Sequence, residues 1–137
     1  MKHQHFDVGI AGFYGAYWAC AGGSDCAVIA MIGDDPEDRL ARSAVKWLCG
    51  RGVNVLTMSP AKKDYGHHNY PLERVETAIS WLKANGNRKI GIAGASTTGT
   101  LALTAAAMFP DITLTIAMTP SDFVWQGFMQ GKKDGCK

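Results

Sequence analysis

Two apolar patterns take turns along this chain. Apolar runs stand at Cys26–Ile32 and Ile90–Ala93, and further strand stretches, carrying Asn54, Thr57, Thr113 and Thr115, at Val53–Met58 and Ile112–Met118. The length and composition of the first two predict strands buried on both faces. Between the runs the apolar period lengthens to that of a helix. Leu40, Ala44, Val45 and Leu48 recur on one stripe, as do Leu72, Val75, Ile79 and Leu82, while Leu101 to Phe109 is helix-forming and stopped by Pro110. The punctuation agrees. Asp35 and Pro36 suit a cap and a first helical position, Gly50–Gly52 a helix stop, Pro71 a helix start and Asn85-Gly86 its end. Ahead of these, Phe6–Gly12 and Gly15–Cys20 read as two short strands of a hairpin around Phe13 and Tyr14. Strand–helix alternation at this spacing predicts an α/β fold with a mostly parallel, doubly wound sheet and right-handed crossovers.

Composition narrows the function classes. A chain of 137 residues makes one domain, 1–137, that buries roughly two-thirds of its surface. A formal net charge of +2, with no basic run longer than a pair, leaves no electrostatic footprint for nucleic acid. No run approaches the ~18 apolar residues of a membrane span, and Asp7 with three glycines breaks up the N-terminal stretch that superficially resembles a signal peptide. Cys20, Cys26, Cys49 and Cys136 lack zinc-type spacing and are scattered as reduced thiols are. A soluble, cytoplasmic protein without metal or other cofactor is the expectation.

The candidate chemistry lies in one turn. The strand Lys89–Gly94 runs through Gly94, Ala95, Ser96, Thr97, Thr98 and Gly99 into the helix that starts near Thr97. A serine on a sharp strand-to-helix turn presents its hydroxyl above the carboxyl edge of the sheet. The following N–H, that of Thr97, then sits at a helix N-terminus, where a developing oxyanion is favoured. The usual elbow is Gly-x-Ser-x-Gly; here Thr98 holds the second glycine place and Gly99 comes one residue late. Two other readings stand beside the elbow: Ser96 as a plain helix cap, and the turn as an anion site, although the latter lacks the Gly-Lys-Ser/Thr and Gly-x-Gly-x-x-Gly patterns. His67 and His68 in the polar loop Ala61–Tyr70, and Asp122 past a strand end, are secondary candidates for a base and an acid. Asp34 and Asp35 form a carboxylate pair that helix capping also explains, and His3 and His5 have no carboxylate or cysteine partners at metal-ligand spacing.

Gly12-Phe-Tyr-Gly15, Ala27–Asp34 and Gly91-Ile-Ala-Gly-Ala-Ser-Thr-Thr-Gly99, in this order of strands and helices, resemble the α/β-hydrolase superfamily. More narrowly they resemble the C-terminal domain of acyl-CoA thioester hydrolases and bile acid-CoA:amino acid N-acyltransferases. The resemblance spans Phe6 to Pro120. It implies that Ser96 is the nucleophile, that the backbone N–H groups of Thr97 and of Asp34 in the Gly33-Asp34-Asp35 loop form the oxyanion hole, and that the substrate is an acyl thioester or ester. It also implies an acid and a base after later strands, in the order Ser, Asp, His, and no histidine follows Ser96. The expectations are therefore a domain lacking its C-terminal strands, little activity from these 137 residues alone, and self-association through apolar surface at Phe123, Trp125 and Phe128. The competing expectation is a non-catalytic α/β module that works by binding.

Overall fold

The computed structural model describes residues 2–59 and 70–121. His67, His68, Asp122, Phe123, Trp125, Phe128 and Cys136 lie outside them. The runs become the strands β3 (Cys26–Met31), β4 (Asn54–Met58), β5 (Lys89–Ala95) and β6 (Ile112–Met118), parallel to one another, with β6 at one edge of the described sheet. Two antiparallel strands, β1 (Gln4–Phe6) and β2 (Gly15–Trp18), extend the sheet on the β4 side. The strand order is β1-β2-β4-β3-β5-β6, so the fold is α/β with a mostly parallel sheet.

The sequence expectation of a strand over Phe6–Gly12 is corrected. Strand β1 ends at Phe6 and a helical turn, α1 (Val8–Ala11), follows. The Asp7 carbonyl accepts the Ala11 N–H at 2.9 Å, and Gly12 closes the turn at φ +81°. Ile10 is 92 % exposed and no residue of the turn is fully buried, so the apolar run misled.

Three longer helices cover the sheet. Alternate residues of each strand face opposite sides, and the two cores follow that alternation. Ile29, Met31, Leu56, Met58, Ile90 and Ile92 pack under α3 (Glu73–Ala84) and α4 (Thr97–Met108). Val28, Ala30, Val55 and Ala93 pack under α2 (Arg39–Cys49) through its Val45 and Leu48. Helix α2 buries Ala41, Val45 and Leu48. Leu40, which the sequence places on the same stripe, is 61 % exposed and instead walls a cavity of about 400 Å³ between α2 and β5–β6, with Trp47, Ala93, Ile116 and Met118. No helix among the described residues is long and apolar enough to cross a membrane. Cys20, Cys26 and Cys49 are free thiols.

Parallel pairing sets the position of the candidate site. Met31 at the end of β3 is in register with Gly94, and Ala95 with Met118 of β6. The turn that leaves β5 therefore emerges between the carboxyl ends of two neighbouring strands, the edge at which open α/β sheets bind ligands.

Candidate active site

Ser96 occupies the single residue between β5 and α4. Its backbone lies at φ 55°, ψ −119°, and the residue is exposed. Among the described non-glycine residues only Thr119 shares a positive φ. A side-chain-bearing residue reaches such a conformation at a cost of roughly 1–3 kcal/mol and holds it only when its surroundings over-determine it. Those surroundings are specific. The Ser96 N–H donates to the Met118 carbonyl at 2.8 Å, and the Ser96 carbonyl accepts the Thr100 N–H at 3.1 Å. Helix α4 crosses so close to β5 that a Cβ on Gly94 would stand 2.0 Å from the Thr98 carbonyl oxygen, and one on Gly99 would stand 3.0 Å from that of Met118. Only glycine fits at position 94.

The strain at Ser96 predicts an opposition between stability and chemistry. Ser96→Gly removes the side chain that disfavours φ 55° but makes the unfolded chain more flexible. We expect a net gain of about 1 kcal/mol in urea unfolding, with the hydroxyl lost. A decrease in stability would mean that Ser96 contributes as a cap.

The position of Thr98 departs from the glycine of the usual elbow, and the structure supplies the reason. Its side chain is buried. The hydroxyl lies 2.6 Å from the Met31 carbonyl and 2.8 Å from that of Ala95, and accepts the Ala95 N–H at 2.9 Å. The threonine thus faces the strand ends and not the solvent.

The Asp34 N–H, the second expected oxyanion donor, is engaged within its own loop. The Asp34 N–H donates to Asp38 Oδ2 at 2.7 Å and the Asp35 N–H to the same oxygen at 3.1 Å. Asp38 Oδ1 accepts the Ala41 N–H at 2.8 Å, which makes Asp38, and not Asp35, the cap of α2. Gly33 lies at φ +95° with the Asp38 carboxylate against it, so the chain doubles back there and turns its N–H groups toward Asp38. The loop after β3 is therefore closed on its own carboxylate, and Asp34 has given its N–H away. Asp35 is committed as well, its Oδ1 accepting the Glu37 N–H at 2.9 Å and its Oδ2 the Tyr14 hydroxyl at 3.3 Å. Burial, then the Asp35 carboxylate, hold the Tyr14 phenol above its usual pKa, so it remains a neutral donor.

Partial burial pushes the Asp38 carboxyl up, but the N–H groups of Ala41, Asp34 and Asp35 outweigh it and leave the pKa below the ordinary carboxylate value. A depressed carboxyl contributes stability that is present above the unfolded value near ~3.9 and lost as pH falls through the folded one. Asp38→Ala is expected to cost about 1 kcal/mol at pH 7, as loss of a helix cap does. The difference from the unsubstituted chain should narrow below about pH 4. Urea titrations at pH 7 and pH 3 check it.

His3 and His5 are not placed to serve Ser96. His3 Nε2 meets Glu37 Oε1, and His5 Nδ1 lies 3.3 Å from Glu37 Oε2. Strand β1 is four places from β5 in the sheet, about 19 Å at the usual strand spacing. No cluster of metal-ligating side chains occurs among the described residues. Two features of the site escaped the sequence reading, the Asp38 cap and the buried Thr98 hydroxyl. Asp38 had a local signal, an acid three residues before the Ala41 N–H it caps; Thr98 had none, because its partner Met31 is 67 residues away.

The chain resembles solved structures of Est1E from Butyrivibrio proteoclasticus with ferulic acid bound (21% identity over 95% of this chain and 59% of that one, TM-score 0.65), of an esterase from Pyrococcus furiosus (21%, 79% and 45%, TM-score 0.61), and of the α/β hydrolase GrgF from a Penicillium species (22%, 79% and 41%, TM-score 0.63). No family model and no curated protein matches the sequence. The chain has the α/β-hydrolase fold, and it spans about half the length of the solved structures it matches.

Proposed function

We propose that Ser96 is the nucleophile of an acyl-transfer enzyme that cleaves esters or acyl thioesters. The observation that carries this reading is the backbone of Ser96, exposed at φ 55°, ψ −119° between a parallel strand and the N-terminus of a helix. Structure stores strain of this kind where it has a use for it. The Ser96 hydroxyl oxygen attacks the carbonyl carbon, its proton passes to a base, and the negative charge develops on the carbonyl oxygen. That oxygen is stabilised by the first-turn N–H groups of α4, Thr97 foremost. Collapse expels the alcohol or thiol and leaves an acyl-Ser96, which water then hydrolyses. Asp34 can add a second donor only where the Asp38 carboxylate releases it; a single such donor is worth roughly 3 kcal/mol.

The base is unassigned among the described residues. A serine without one is a weak nucleophile, so these 137 residues are expected to acylate slowly even where they acylate selectively. The esterases among the structural neighbours favour an oxygen ester, and the resemblance of the elbow and early-strand motifs favours a thioester. A non-catalytic binding module is the second reading, favoured by the Asp34 N–H that Asp38 already holds.

The test incubates the chain with an activated aryl ester and, separately, with an acyl-CoA thioester, and follows intact mass. One acyl group per chain, sited on Ser96, supports the proposal, and the faster arm assigns the substrate class. Acylation spread over lysines, with Ser96 unmodified, sinks it.

A further inference from the structure

Thr98 fills the place where the elbow pattern carries glycine, and its hydroxyl joins three parts of the site. It accepts the Ala95 N–H at 2.9 Å, directly before Ser96, and it reaches the Met31 carbonyl at 2.6 Å. With one proton to give, the hydroxyl donates along the shorter contact, to Met31. Met31 is the last residue of β3, and the loop that carries Asp34 and Asp38 leaves from it. On its other side the Ser96 backbone is held by the Met118 carbonyl at 2.8 Å. Ser96 is thus suspended between β6, through its own N–H, and β3, through Thr98. A glycine at position 98 would leave the Met31 carbonyl and the Ala95 N–H, both at strand ends under a covering helix, without this partner.

We infer that Thr98 is a positioning residue for the Ser96 acyl transfer, its hydroxyl fixing the distance between the elbow and the loop after β3. The inference rests on the reading of Ser96 as nucleophile. Thr98 touches no reacting atom; it acts by holding Ala95 and Met31 at one spacing. The departure from Gly-x-Ser-x-Gly is then a substitution of one device for another. Where glycine gives the turn room, threonine gives it a hydrogen-bonded tie. Its buried side chain leaves the hydroxyl no solvent to turn to, so the tie does not exchange with water.

Three variants test this. Thr98→Val keeps the shape and removes the hydroxyl, Thr98→Ser keeps the hydroxyl, and Thr98→Gly restores the usual elbow pattern. Two quantities are measured on the whole chain: hydrogen exchange at the Ala95 amide relative to Ile92 in the same strand, and the acylation of Ser96 by an activated aryl ester, resolved into its maximal rate and half-saturating ester concentration. In Thr98→Val and Thr98→Gly we expect the Ala95 amide to exchange at least tenfold faster relative to Ile92. The maximal acylation rate should fall 10- to 100-fold with the half-saturating concentration within about twofold of its starting value. Thr98→Ser should restore both. Faster acylation by Thr98→Gly, or equal rates in Thr98→Val and the unsubstituted chain, overturns the inference while leaving Ser96 as nucleophile. A loss in Thr98→Ser with Thr98→Val unaffected overturns it in favour of packing by the methyl group. An unsubstituted chain whose Ser96 is never acylated removes the nucleophile reading, and this inference with it.

Discussion

Replacing Gly94 by alanine is expected to cost about 3 kcal/mol or more, a large part of the 5–15 kcal/mol that holds an ordinary domain together. The new methyl would stand 2.0 Å from the Thr98 carbonyl oxygen, 2.4 Å from its carbon and 2.8 Å from the Gly99 nitrogen. These are backbone atoms of the first turn of α4, so no flexible side chain can swing aside. Relief requires α4 to lift from β5 by more than 1 Å, which strains the Thr98 tie to Met31 and the Ser96 tie to Met118 together. The variant should show a urea midpoint far below that of the unsubstituted chain. Gly9→Ala is the control, since a Cβ there meets nothing within 4 Å at an ordinary φ; it should be neutral or slightly stabilising.

The second large effect is chemical. Ser96→Ala removes the only atom proposed to bond to the acyl group, so selective acylation by an activated ester should fall at least 10³-fold, to the level of lysine background. The variant should also remain folded. Ser96 makes no side-chain cap bond to α4, so its hydroxyl is not part of the helix N-terminus. Loss of reactivity with an unchanged urea midpoint, within about 1 kcal/mol, separates a nucleophile from a structural serine. A variant that loses stability and keeps its reactivity would point to the reverse assignment.

Much of the fold was legible because the inner strands are buried on both faces. That condition forces the apolar runs at Cys26–Met31 and Ile90–Ala93, which are visible without any partner, whereas β6 at the sheet edge is largely exposed and carries threonines at 113 and 115. The elbow was legible for a related reason. The close crossing of β5 and α4 leaves room only for Gly94 and Ala95 before Ser96, so small residues mark the spot. Where the sequence reading failed, the deciding interaction was tertiary or a competition between neighbours. Val8–Ala11 has the residues of a strand but no strand beside it. Asp35 and Asp38 are both good caps, and the turn at Gly33 gives the helix to Asp38 and the Tyr14 hydroxyl to Asp35. Leu40 keeps the helical period yet walls a cavity, because α2 covers only part of its face of the sheet. The partner of Thr98 is a backbone carbonyl 67 residues earlier, for which a sequence carries no local mark.

The proposed acyl transfer requires Ser96 to be chemically distinct from the other serines and threonines of the chain. Treatment of the folded 137-residue protein with a fluorophosphonate, followed by peptide mass mapping, examines this directly, since such reagents phosphonylate a serine held as a nucleophile and spare ordinary hydroxyls. A single adduct is expected, on Ser96, formed slowly and abolished by prior unfolding in urea. An adduct on another residue of the folded chain, or none under conditions in which Ser96 remains at the surface, would contradict it.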